Sequence, residues 1–196
     1  TQMVGIKKAV RKVDVVSDIK ADGFFFASAL ANAAPDEDAK SSYTNRFSFG
    51  VANSMPMAKV KAIAEAYERH RSGRIKIDFV GTAAQIKGLW LDPNKIAPMD
   101  NDQRERLGLQ EFTPDTRLEW VSGTKYATKD PVLAPIDLVF YPVSEERYGR
   151  ALVCDTSSSG TAASTSLEDA ETRALLELIE RDAIMRSWFE QKAPPR

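Results

Sequence analysis

The chain has 196 residues, 43% of them hydrophobic, and a formal net charge of −1. That length and apolar content suffice for the core of one ordinary domain. The near-neutral charge, with no basic segment, excludes a nucleic-acid-sized electrostatic surface. No apolar run approaches the ~18 residues of a membrane span, and residues 1–22 carry charge throughout where a signal peptide would have an apolar centre. One cysteine, Cys154, permits no internal disulfide, so a reducing cytoplasm is the expected compartment.

In chain order, Val4 to Val16 alternates apolar and charged residues and predicts a strand. Gly23 to Leu30 is a short apolar run of core-strand type, Pro35 to Ser42 a polar loop, and Phe47 to Val51 a further strand. Ser54-Met-Pro opens a helix, with Pro56 in the first turn where its missing N–H does no harm, and Gly73 closes it. His70 falls on the apolar side of that helix and reads as a packed residue. Ile75 to Val80 predicts a strand, and Ala83 to Leu109 an irregular polar stretch punctuated by Asp92-Pro-Asn, Pro98 and Asp100-Asn-Asp. Leu118 to Ala127, Val132 to Tyr141 and Arg150 to Asp155 predict strands, with Trp120 in the core. Cys154, inside A-L-V-C-D, reads as a small buried side chain rather than a nucleophile.

Thr156 to Thr165 is a loop almost free of bulky side chains. It feeds a helix from Ser166 to Trp188, where Ser166 stands three residues before Asp169 in the manner of a capping box. Such a loop at a helix start favours anions, although taken alone it reads more readily as a flexible connector. Ala174, Leu175, Leu178, Ile179 and Met185 lie on one arc of the helix, and Arg173, Glu177 and Glu180 on the opposite one. Because Leu176, Ala183, Ile184 and Trp188 flank that second arc, the helix reads as apolar on most sides. Its acids would then be shielded, and Glu180 is expected to be paired with a cation from the facing helix, Arg69, or with Arg181.

The earlier helix carries a weak copy of this one. Ser54, Ala58, Ala62, Glu65, Glu68 and Arg69 match Ser166, Ala170, Ala174, Glu177, Glu180 and Arg181 at a constant offset, and Lys61 corresponds to Arg173. Each E-x-x-E-R alone is an ordinary solvated face with an i,i+4 ion pair; the doubled spacing points to a shared site with converging glutamates. Carboxylate pairs with neither histidine nor cysteine beside them suit a hard, oxygen-liganded cation such as magnesium on a phosphate chain. Ser166 lies eleven residues from Glu177, about 16 Å along a helix, so loop and acids would hold opposite ends of an elongated ligand. No Walker or G-x-G-x-x-G loop, H-E-x-x-H or C-x-x-C is present.

These residues resemble the YcaO family. Ser158-Ser-Gly-Thr-Ala-Ala-Ser164, followed by Glu177-Leu-Ile-Glu-Arg-Asp182, is similar to its S-x-G-x-A-x-G loop and E-x-x-E-R-D helix. Ala64-Glu-Ala-Tyr-Glu-Arg69 resembles its first such helix, and Leu118-Glu-Trp-Val-Ser-Gly with Val132 to Pro142 its intervening strands. The resemblance implies an α/β fold of mixed sheets whose two E-x-x-E-R helices form a nucleotide site. It implies ATP and Mg2+ as cofactors, with Glu65, Glu68, Glu177 and Glu180 at the metal positions, and Thr165, Asp169 and Arg181 joining them around ATP. Ser164 stands where the loop usually has Gly, and Phe49 interrupts the G-K-G-like turn ahead of the first helix.

The activity implied is phosphorylation of a peptide backbone amide oxygen after a nucleophile attacks the carbonyl. A Cys, Ser or Thr side chain gives azolines in a ribosomally made peptide, sulfide a thioamide and an amine an amidine; a non-catalytic scaffold subunit is the alternative. The partners implied are a precursor peptide, an E1-like or TfuA-like protein and a second copy in a homodimer. Family members continue well past the second motif, so residues 1–196 are expected to be the N-terminal and central part of the family domain.

Overall fold

The computed structural model describes residues 9–21, 23–31, 47–143 and 145–192. The predicted loop at Pro35 to Ser42 and the first residues of the strand expected from Val4 lie outside them. The chain forms two compact units, residues 1–72 with 158–196, and residues 73–157.

In the first unit, β1 (Val10–Ala21), β2 (Phe24–Ala31) and β3 (Phe47–Ala52) form an antiparallel sheet in that order, and α1 (Met55–Ser72) packs on one face. The first strand thus runs past the expected end at Val16. Alternation assigns the faces. Ser48, Gly50 and Ala52 of β3 and Ala27, Ala29 and Ala31 of β2 are buried, and Ala58, Ala62, Ala66 and His70 form the matching i,i+4 stripe on α1. A core of alanines buries little area per residue, but it lets backbones approach closely. A β-carbon at Gly50 would sit 2.0 Å from the Ala58 carbonyl oxygen, so only glycine fits there. The buried Ser48 hydroxyl lies between the carbonyls of Ala29 (3.0 Å) and Ala62 (2.8 Å), linking strand and helix.

Among the described residues β3 is an edge strand, and its outward groups are capped by α1. The Phe49 N–H donates to Glu65 Oε2 at 2.9 Å, and Lys61 Nζ to the Val51 carbonyl at 3.0 Å. Side chains from the covering helix thereby occupy groups that would otherwise pair with another strand. The last helix of this unit, α5 (Leu167–Glu190), starts where predicted, with the Asp169 N–H on the Ser166 side chain at 3.2 Å.

The second unit is a four-stranded mixed sheet of order β4-β6-β7-β5, comprising β4 (Phe79–Thr82), β5 (Leu89–Trp90), β6 (Arg117–Thr124) and β7 (Pro131–Pro135). Only the β5–β7 pairing is parallel among the described residues. Trp120 is fully buried as expected, stacked edge-on to Trp90 and Phe112 at centroid separations of 6.1 and 6.5 Å, with its indole N–H on the Gly81 carbonyl at 2.9 Å. Cys154 is buried in the same cluster, and burial, aided by Asp137 and Asp155, pushes its thiol up to about 12, which fits an inert core residue.

Four sequence expectations are corrected here. The strand expected from Ile75 starts only at Phe79. The region expected to be irregular contains β5, α2 (Pro93–Ile96) and α3 (Asn101–Leu107). The latter is closed by a reciprocal Asp100–Gln103 capping box and by Gly108 in the left-handed conformation. β7 stops at Pro135 and turns into a short 3-10 segment, Ile136–Leu138. Residues 150–155 form no strand, because the Val153 N–H bonds the Asp137 carboxylate at 2.9 Å instead of a neighbouring chain. A last short helix of this unit is α4 (Glu145–Tyr148).

Candidate nucleotide site

The site is built wholly within the first unit, from α1, α5 and the loop that precedes α5. Glu65 and Glu68 lie one turn apart on α1, flanking its buried alanine stripe, and both are half-buried. Glu65 is held on both oxygens: Oε2 by the Phe49 N–H at 2.9 Å and Oε1 by Arg69 Nη2 at 3.3 Å. Glu68 Oε1 lies 2.8 Å from the Thr161 hydroxyl. On α5, Glu177 Oε2 accepts from the Gly160 N–H at 3.0 Å, and its Oε1 lies 2.8 Å from Arg181 Nη2.

Gly160 and Thr161 are adjacent, so neighbouring residues of one loop bind an acid from each helix. Glu68 and Glu177 thus meet at this loop. The junction needs glycine at 160, where φ is +79° and a β-carbon would press on the Leu178 side chain at 3.1 Å. The bridge is the loop rather than a buried helix pair, since no residue of α5 is buried.

Burial pushes Glu68 above the ordinary carboxylate value, with Glu177 and Glu65 adding repulsion, against the Thr161 hydroxyl and Arg69. A half-buried acid crowded by two others is a place where a cation is favoured. Among the described residues, however, no group of three His, Cys, Asp or Glu side chains stands ready to hold an ion alone. That donor set fits magnesium, which takes one or two carboxylates and completes its shell with water and substrate phosphates.

Two expectations about α5 fail. The helix is not shielded: Leu176, Ile179, Trp188 and Phe189 are all more than half exposed. Glu180 is likewise exposed, and no ion pair reaches it among the described residues. The physical reason lies in the arginines. Arg181 reaches back one turn to Glu177 and Arg69 to Glu65, each along its own helix. Asp169 does not complete the capping box; its carboxylate binds Arg173 (2.8 Å) and the Ser164 hydroxyl, and these contacts hold it below its ordinary value. Thr165 is exposed beside it at the start of α5. The sequence reading therefore missed Phe49, Gly160 and Thr161 as groups that touch the acids. Two of these act through backbone amides, which residue identity does not reveal.

A model of one family, described as YcaO cyclodehydratase, ATP- and Mg2+-binding, matches residues 49–196. The chain belongs to the YcaO family. An uncharacterised protein of Methanothermobacter thermautotrophicus is 29% identical over 140 residues, which cover 71% of this chain and 33% of that protein. The fold is similar to that of YcaO from Methanopyrus kandleri bound with AMPPCP and Mg2+, with a TM-score of 0.66 and 19% identity over 97% of this chain and 42% of that one. It is also similar to a heterocyclase in complex with substrate and cofactor, with a TM-score of 0.71 and 22% identity over 91% of this chain and 26% of the other. The chain thus spans between about a quarter and two fifths of the length of these relatives. No helix among the described residues is long and apolar enough to cross a membrane.

Proposed function

We propose that this chain supplies the ATP- and Mg2+-binding part of an enzyme that phosphorylates a peptide backbone amide oxygen. The single observation that carries this reading is the convergence of Glu68 and Glu177 on adjacent residues of the 158–165 loop. Glu65, Glu68 and Glu177 are the inner acids that would hold the ion, and Glu180 the outer one by its place in the motif. Arg69 and Arg181 neutralise the acids until the cation arrives and can then turn to phosphate oxygens. Asp169 and Thr165, at the start of α5, would meet the other end of an elongated nucleotide. The ion, when bound, would neutralise charge on the phosphates during phosphoryl transfer.

The reaction we assign is cyclodehydration. A Cys, Ser or Thr side chain of a ribosomally made peptide adds to the preceding carbonyl carbon, the carbonyl oxygen takes the γ-phosphoryl group, and phosphate leaves with that oxygen to give an azoline. Thioamide or amidine formation differs only in the nucleophile, which these residues do not specify. A precursor peptide, an E1-like or TfuA-like protein and a second copy are the partners this reading brings. Relatives in the heterocyclase complex and in the E. coli microcin synthetase McbBCD complex, at a TM-score of 0.57 for the latter, support the reading at the level of fold.

A scaffold reading draws on Glu65, whose oxygens are both already engaged. Calorimetry with Mg-ATP on the full-length protein separates the two. Saturable binding is expected, and Glu177→Gln should weaken it at least tenfold, about 1.4 kcal/mol, because a hard cation loses an anionic oxygen. Absence of binding at millimolar nucleotide would leave the scaffold.

A further inference from the structure

Thr161 occupies a position where the loop motif specifies no residue type, yet its hydroxyl links the loop to α1 through Glu68. The oxygen carries one proton and has two acceptors in reach, Glu68 Oε1 at 2.8 Å and the Ser158 carbonyl at 2.7 Å. The Thr161 N–H also donates to the Ser158 carbonyl, at 3.2 Å, so the turn closes without help from the hydroxyl. The proton is then better placed on the carboxylate, since a hydrogen bond to an ionised acceptor is roughly twice as strong as a neutral one. The methyl group restricts the side chain to few rotamers, so the hydroxyl is held in place rather than found by search.

We propose that Thr161 is a positioning residue that fixes Glu68 of α1 against the loop, in register with Glu177 on Gly160, so that both acids are pre-set for one nucleotide-bound divalent cation. This rests on the nucleotide-site reading. Without the hydroxyl, Glu68 keeps its charge and place on the helix but regains rotamer freedom, and binding must then order it. Both partners belong to the same compact unit, so the link spans the site without involving the second unit.

The test is calorimetry with Mg-AMPPCP on the full-length protein, alongside thermal melting. Thr161→Val removes the hydroxyl at constant shape, and binding should weaken at least fivefold while the melting midpoint stays with the parent. Thr161→Ser restores a hydroxyl and should return affinity to within about twofold to threefold, a rescue that a merely structural role for the methyl would not produce. Thr161→Ala carries the same expectation as Thr161→Val and decides the matter if valine disturbs folding. Should Glu177→Gln lose binding while Thr161→Val and Thr161→Ala bind like the parent, the positioning role is overturned and the site reading stands. Equal losses in Thr161→Ser and Thr161→Val also overturn it. If Glu177→Gln itself binds normally, the site reading fails and the positioning role falls with it.

Discussion

Replacing Arg150 by Met should lower the unfolding free energy by about 3–5 kcal/mol, the usual cost of stripping one partner from a buried ion pair. The guanidinium is 14% exposed and grips the fully buried Asp137 with both terminal nitrogens, at 3.0 and 2.7 Å, while its Nε donates to Glu119 at 2.8 Å. Burial works against the arginine's charge, but the hydrogen bonds and charges of Asp137 and Glu119 outweigh it and keep the group ionised. Methionine fills most of the volume but leaves two nearby carboxylates without a cation. Lysine is no substitute, because a point charge cannot match a planar fork that meets two acids. Adding Asp137→Asn in the Arg150→Met background should recover part of the loss, since the amide needs no counter-charge and can still accept from the Val153 N–H. Denaturant unfolding followed by Trp90 and Trp120, which share the unit with this network, measures both effects. A loss under about 1 kcal/mol would mean that water already screens the pair.

Gly50→Ala should cost about 3 kcal/mol or more, at the upper end of overpacking penalties, and should take nucleotide binding with it. The added carbon would sit 2.0 Å from the Ala58 oxygen and 2.6 Å from the Ala62 nitrogen. Both are backbone atoms, so no side chain can rotate away and β3 must lift from α1. Lifting the strand breaks the Ser48 link to Ala62 and withdraws the Phe49 N–H from Glu65. A stability loss in the core is thereby transmitted to an acid of the site. Gly123→Ala, where no atom lies within 4 Å of the added carbon, is the control and should stay within about 1 kcal/mol of the parent. If both variants melt alike, the tight strand–helix contact is not what fixes the glycine.

The parts of this molecule that could be read from its sequence are those written in local spacing. The start of α1 after Ser54, the capped start of α5, the core position of Trp120, the packed His70 and the repeated E-x-x-E-R all follow from periodicity and helix chemistry. Helix α3 has an equally local capping box, but it buries no residue, so it shows no apolar stripe and looked like a polar loop. The failure at residues 150–155 has a different origin. Their apolar pattern was that of a strand, but the Val153 N–H is taken by Asp137, sixteen residues earlier, a pairing that no periodicity reveals. The exposure of Glu180 belongs to the same class. The sequence placed it among apolar neighbours, and in the structure those neighbours are themselves exposed. In the site, motif spacing named the acids, whereas the amides of Phe49 and Gly160 that orient two of them come from backbone geometry.

The central claim, that Glu68 and Glu177 hold one cation on a nucleotide, is tested most directly with Mn2+ in place of Mg2+. The relaxation of water protons around Mn-AMPPCP is enhanced when the complex is immobilised on a protein. Titrating the full-length protein into that complex should raise the enhancement to a plateau. Glu68→Gln or Glu177→Gln should each require at least tenfold more protein to reach it, because the ion loses an anionic ligand. A flat titration at millimolar protein, or variants that trace the parent curve, would contradict the claim.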